Sequence, residues 1–357
     1  MSEIKNFINI SKYAGERFDL VQAAGGNSSV KISSNSEMLI KASGFLLSDL
    51  RESVGYSKVL TASVADIVRN KKIINSVNKR ERESIASKLL KKATIDKINR
   101  PSIETLLHSL LLKYTLHTHP IVVNMIVAKK NWKDELNIIF FDEQIAFVDY
   151  QTPGIELAIG LFNELKRFDK IPKIIFLQNH GLIITSNNED EIKLLTEYVL
   201  DKIEKHFKIE MKNYKLTNSI SLLFSGFEGS SNVSYLSEDM ILNQQLKKNK
   251  KLFFKTPFCP DTFVYCGINP IIIKSLSEVE AIRTYQIKHH ELPKVIIYNK
   301  NILFRAPSIK KAREIEEVLK FHIMVLEQNK DEQLEFLETE ELNYLSNWEA
   351  EKYRQKL

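Results

Sequence analysis

The sequence predicts an α/β fold with a larger N-terminal part and a smaller C-terminal one. Three observations point there. Short β-branched runs such as Lys173–Leu177 alternate with amphipathic stretches at helical spacing. At 357 residues the chain exceeds the usual single-domain size. The segment Pro172-Lys173-Ile174-Ile175-Phe176 recurs as Pro293-Lys294-Val295-Ile296-Ile297. The expected division is residues 1–215 and 220–357.

Residues 3–24 read as a helix, with Ile4, Phe7, Ile8, Tyr13, Phe18 and Leu20 on one face and a stop at Gly25-Gly26. Val30–Ile32 and Met38–Ile40 read as two short strands joined by the polar turn Ser33–Ser36. Lys79–Lys92 is charged, helix-prone and expected as an insertion on the surface. Leu106, Leu107, Leu110 and Leu111 give a helix packed on a sheet. A strand at Ile145–Val148 leads through Tyr150-Gln151-Thr152-Pro153-Gly154 into a helix at Ile155–Arg167. After Leu182–Thr185, Asn188 is the expected N-cap of a helix with Ile192, Leu195, Val199 and Ile203 inward. Carrying the repeat offset onward places Asn301 opposite His180 and Ser308 opposite Asn187. A last helix is expected from Leu342 to Arg354, carrying Tyr344, Trp348 and Tyr353.

The chemistry concentrates in three histidines and one acid. His117 and His119 sit two apart among residues that favour extended chain, Tyr114–Leu116 before them and the β-branched Ile121–Val123 after, so their imidazoles would share a face. Two converging imidazoles suit zinc or a similar divalent ion, which wants a third protein ligand and one open position. His180 follows an apolar strand and precedes Gly181, which permits a sharp change of direction, and it is the natural third ligand. Glu104, just upstream, can supply a proton-moving carboxylate. His-x-His alone is a weak signal; the second His-Gly element and the acid strengthen it. Two glycine-containing turns form a candidate anion cradle. Backbone N–H groups at Gly26 and Gly44, the Asn27 amide and the Ser29 and Ser43 hydroxyls are its donors.

These pieces occur together as Gly25-Gly26-Asn27-Ser28-Ser29, Met38-Leu39-Ile40-Lys41-Ala42-Ser43-Gly44, Ser102-Ile103-Glu104, His117-Thr118-His119-Pro120 and Asn179-His180-Gly181. In that order they resemble the class II aldolase/adducin family over roughly residues 5–210. The resemblance implies a central, mainly antiparallel sheet flanked by helices; the repeat itself reads as a smaller C-terminal α/β domain whose degenerate copy lacks the metal ligand. It implies a divalent metal, zinc above all, held by His117, His119 and His180, with Glu104 as acid/base. It adds Ser102 to the substrate-binding set of Gly26, Asn27, Ser29, Ser43 and Gly44, and makes Tyr150 a second proton-delivery candidate. Ala24 and Ile103 replace positions that often bear hydroxyls in the family, which weakens the case for a simple phosphate ester.

The implied activity is metal-dependent retro-aldol cleavage or condensation on a sugar or sugar phosphate, through a metal-stabilised enediolate. An epimerase, dehydratase or decarboxylase would use the same ligands, and a non-catalytic adducin-like binding module is the alternative from another class. The resemblance further implies a homo-oligomer, with a tetramer favoured. Hydrophobic and charged fractions of 43% and 27% are ordinary for a globular protein. The net charge of +6 lies in lysine-rich stretches such as Lys247–Lys251, without aromatic interleaving or a nucleic-acid motif, so no nucleic-acid partner is expected. Cys259 and Cys266 form no CxxC pair, and no apolar run reaches membrane-spanning length. A cytoplasmic protein without a membrane partner is expected.

Overall fold

The computed structural model describes residues 2–96, 98–227 and 232–347. The chain forms two compact units that divide between Met211 and Lys212. The fold is α/β, with a mainly antiparallel sheet flanked by helices. In the first unit the strands are β1 (Asn27–Ile32), β2 (Glu37–Lys41), β3 (Tyr56–Leu60), β4 (Tyr114–Thr118), β5 (Ile145–Val148), β6 (Ile174–Leu177) and β7 (Gly181–Ser186). They lie in the order β3-β2-β1-β4-β7-β6-β5. Every neighbouring pair is antiparallel except β5 and β6.

Side chains alternate across this sheet as period two requires. Val30, Leu39, Leu116, Phe176 and Ile184 enter one core with helices Glu3–Gly15, Ile121–Val127 and Glu189–Phe207. Met38, Ile40, Ile175, Leu177 and Ile183 enter the other, with helices Lys79–Ala93, Thr105–Ser109 and Ile155–Leu165. Both faces are covered, so β6 reads as an unbroken apolar run, whereas β1 and β4 at the middle of the sheet carry buried polar residues.

Three local expectations change. The first helix ends at Gly15 rather than near residue 24. Gly15 lies so close to the Leu47–Ser48 backbone that a Cβ would overlap it, and the chain turns away there. The β-branched run Ile121–Val123 is helical, within Ile121–Val127. Val122, Val123, Ile126 and Val127 are buried at helical spacing, and that burial overrides β-propensity. The charged helix Lys79–Ala93 is no loose insertion. Ala86, Leu90 and Ala93 are buried, Asn78 caps its start, and Arg82 holds Glu156 through two 2.7 Å bonds.

The second unit has β8 (Val233–Leu236), β9 (Ile271–Ile273), β10 (Val295–Tyr298) and β11 (Asn301–Ala306) in the order β8-β11-β10-β9. Strand directions match β4-β7-β6-β5, since β9 and β10 are parallel and the other pairs antiparallel. The repeat offset, however, is not constant. Ile174 pairs with Ile184, while Val295 pairs with Phe304. The turn after β6 therefore has three residues, 178–180, and the turn after β10 has two, 299–300. Asn301 corresponds to Gly181 rather than to His180, and Ser308 to the N-cap Asn188 rather than to Asn187. The second hairpin is one turn residue shorter, and no histidine stands in it. Helix Thr339–Asn347 includes Tyr344, whereas Trp348 and Tyr353 lie outside the described residues. Among the described residues no helix is long and apolar enough to cross a membrane.

Candidate metal centre

His117 is placed by the sheet. It lies on β4 between β1 and β7, paired with Asn27 and Ile183, and is wholly buried. Its Nδ1 is 3.0 Å from the Leu182 carbonyl oxygen. A carbonyl only accepts, so Nδ1 carries the hydrogen, and in the neutral ring Nε2 keeps its lone pair. His119 does not share the strand. β4 ends at Thr118, and the His119 N–H donates to the Leu20 carbonyl at 2.9 Å. The two imidazoles converge because a turn follows the strand. His180 ends the three-residue turn between β6 and β7, after Asn179 at φ +52°, whose N–H donates to Val127 O at 3.1 Å.

His117 Nε2 is 3.1 Å from His119 Nε2 and 3.3 Å from His180 Nε2. Glu104 Oε1 is 3.4 Å from His117 Nε2 and 3.7 Å from His180 Nε2. One ligand atom from each of the four residues lies within 4.8 Å of all the others. Two nitrogens about 2.0–2.1 Å from a tetrahedral ion stand roughly 3.4 Å apart, so these separations suit zinc or a similar ion. Lone pairs crowded this closely repel one another, and a cation between them reverses the sign.

The electrostatics agree. Burial, with the neighbouring histidines, brings the His119 pKa down to about 3 and that of His180 to about 4. Both rings are therefore neutral, and able to ligate, near neutral pH. Burial pushes the Glu104 carboxyl up, but His117, His108 and His180 outweigh it and hold the group well below the usual carboxylate range.

Helix Thr105–Ser109 starts directly after Glu104, and the Glu104 N–H donates to Ser102 Oγ at 3.3 Å. His108, four residues on and fully buried, faces Ser29, with its Nδ1 2.8 Å from Ser29 Oγ. Asn27 is buried beside His117, and its Nδ2 has no hydrogen-bond partner. Gly26 has φ +73°, and a Cβ there would press on the His117 carbonyl. Ser43 and Gly44 are exposed, and the Ser43 N–H donates to Arg100 O at 2.9 Å, beside the Ser102 segment. Buried Lys41 ties the two glycine turns together through Phe45 O at 2.8 Å and Ala24 O at 3.4 Å. These contacts set Gly26, Asn27, Ser43, Gly44 and Ser102 around two adjoining turns, whereas Ser29, expected among them, is buried within β1 with its hydroxyl held by His108. Tyr150 is 56% exposed, its N–H donates to Gln178 Oε1 at 2.9 Å, and among the described residues no hydrogen bond joins its hydroxyl to the cluster.

Gly181 leaves no room for a side chain, since a Cβ there would overlap the Thr118 carbonyl oxygen. Gly181→Ala is expected to cost about 1–3 kcal/mol, the usual range for overpacking, and to move His180 off the cluster. Urea unfolding together with a divalent-ion titration checks both effects. Wild-type values in the two would show that the hairpin accommodates the methyl.

The family model for the class II aldolase and adducin N-terminal domain matches residues 6–204. No curated protein matches the chain. Several solved structures are similar. The N-terminal class II aldolase domain of a conserved protein from Thermoplasma acidophilum is 23% identical, with 58% of this chain and 94% of that one covered and a TM-score of 0.49. An aldolase II superfamily protein from Pseudomonas syringae is 16% identical, over 58% of this chain and 76% of that one, with a TM-score of 0.40. An L-fuculose 1-phosphate aldolase is 16% identical, over 57% and 84%, also with a TM-score of 0.40. With more than half of its length matched by the family model, this chain belongs to the class II aldolase and adducin N-terminal domain family.

Proposed function

We propose that the first unit is a metal-dependent carbon–carbon lyase acting on a sugar or sugar phosphate. One observation carries this reading: three imidazole Nε2 atoms and a carboxylate oxygen meet at one point, beside two turns lined with hydrogen-bond donors. His117, His119 and His180 would hold a divalent ion, with zinc the expected one. Bound there, the ion supplies a Lewis acid that polarises a carbonyl oxygen.

The remaining chemistry belongs to the chain. Glu104 Oε1 borders the ligand cluster and moves a proton to or from the carbon beside the carbonyl. Asn27 Nδ2, the Ser43 and Ser102 hydroxyls and the amides at Gly26 and Gly44 orient the substrate's anionic or hydroxylated end. The buried Lys41 ammonium adds positive charge near that end. A non-catalytic binding module would have no use for a carboxylate aimed into a histidine cluster.

The test is incubation of zinc-loaded protein with a panel of ketose phosphates and nucleotide-activated sugars, followed by detection of released aldehyde. Cleavage that a chelator abolishes is expected. Substrate recovered with its carbon skeleton intact and one hydroxyl inverted would replace the lyase with an epimerase.

Tyr150, exposed and with no hydrogen bond from its hydroxyl to the cluster among the described residues, fits a site completed by a neighbouring subunit. We infer a closed homo-oligomer, a tetramer. Light scattering is expected to give about four times the 41.3 kDa chain mass, and a monomer at all concentrations would contradict it.

A further inference from the structure

The strand ladder that aligns His117 stops before His119. Pairing with β7 ends at Thr118↔Leu182, and pairing with β1 ends at Asn27↔His117. Beyond it, the His119 N–H donates to Leu20 O and the Ile121 N–H to Asp19 O, both at 2.9 Å. Pro120 between them has no N–H to give. The backbone that aims the His119 ring is thus gripped on both sides by the turn at residues 17–21. In that turn the Leu20 and Val21 N–H groups both donate to Arg17 O at 3.1 Å.

The turn is itself locked from within. Arg17 is 1% exposed and Asp19 2%. The Arg17 Nε donates to Asp19 Oδ1 at 3.0 Å, and a second guanidinium nitrogen donates to Asp19 Oδ2. The third reaches the Tyr13 hydroxyl at 3.2 Å and the Glu197 carboxylate. Tyr13 OH also donates to Glu197 Oε1 at 2.6 Å. The guanidinium thereby joins helix Glu3–Gly15, the turn and helix Glu189–Phe207.

A buried ion pair adds little net stability compared with apolar side chains of the same volume. A planar, two-bond fork does fix orientation, which a greasy contact or a lysine cannot do. Here the orientation fixed is that of the two carbonyls that hold His119 and Ile121. We propose that the Arg17–Asp19 pair, braced by Tyr13 and Glu197, is a positioning device that sets the His119 imidazole for the metal. This rests on the three-histidine metal reading above.

The test compares wild type with Arg17→Lys, Asp19→Asn and, as a control, the core variant Ile203→Val. Affinity for zinc is measured by chelator competition well below each protein's unfolding temperature, and the visible absorption of the cobalt-loaded protein is recorded. Arg17→Lys and Asp19→Asn are expected to lose roughly 10- to 100-fold in zinc affinity, the usual effect of removing a group that orients a metal ligand, and to shift the cobalt bands. Ile203→Val should unfold earlier yet keep both readouts, because a merely structural role does not touch ligand geometry. Wild-type affinity and spectrum in Arg17→Lys and Asp19→Asn would overturn the inference and leave the metal reading standing. No zinc or cobalt binding by wild type would overturn the metal reading and this inference with it. Should neither charge variant fold, Tyr13→Phe decides, since it keeps the pair and removes one brace. A loss of about threefold or more, a fraction of the full effect, supports the device, and no loss overturns it.

Discussion

Glu104→Gln is expected to keep its metal and lose turnover by roughly a hundred- to ten-thousand-fold, the usual contribution of a general acid or base. Glutamine preserves the size and the hydrogen-bonding reach of the side chain but cannot exchange a proton at neutral pH. The three imidazole nitrogens remain, with His117 still oriented by Leu182 O, so the ligand set is intact. The loss should fall in kcat and in kcat/KM alike, because the proton moves only at the transition state. Steady-state kinetics on the cleavable substrate, with metal analysis on the same preparation, measures both. Normal turnover would reduce Glu104 to an ordinary carboxylate before a helix and leave Tyr150 to be tested next. Loss of metal together with turnover would make Glu104 a fourth ligand.

Much of the centre was legible in the sequence because its parts are local. His-x-His beside an apolar strand, His-Gly at a hairpin and an acid before a short helix each carry their own geometric signal. The way the parts converge was less legible. His117 and His119 were expected to share a strand face, yet only His117 is on the strand, and a turn brings His119 round. That turn was hidden because Phe18 and Leu20 fit a helical apolar pattern running past Gly15. Arg17 and Asp19, two residues apart, could not have faced each other on such a helix, and that spacing was the available clue. The run Ile121–Val123 misled for a related reason. Its β-branched side chains suit a strand locally, and only packing against the sheet makes them helical.

The repeat shows the same limit. Matching Pro172–Phe176 to Pro293–Ile297 located two equivalent hairpins, but sequence identity ran out in the turn, where the lengths differ. Only the strand register reveals that the second hairpin is a residue shorter. Tyr150 marks the other boundary. Its position beside the strand end was legible, but among the described residues no hydrogen bond joins its hydroxyl to the cluster.

His117→Ala is expected to bring the largest single loss, because His117 is the fully buried member and lies within 3.4 Å of the ligand atom of each of the other three. Removing it takes away the ring whose tautomer the sheet fixes and leaves two ligands that no longer bracket one point. The fold should survive, since β4 keeps its backbone pairing on both sides and a smaller side chain adds no clash. Elemental analysis of wild type and His117→Ala, each equilibrated with zinc and dialysed, is the most direct measurement. About one divalent ion per chain in wild type, as a three-histidine site requires, and little or none in His117→Ala is the expected result. Full occupancy in His117→Ala, or none in wild type, would contradict it.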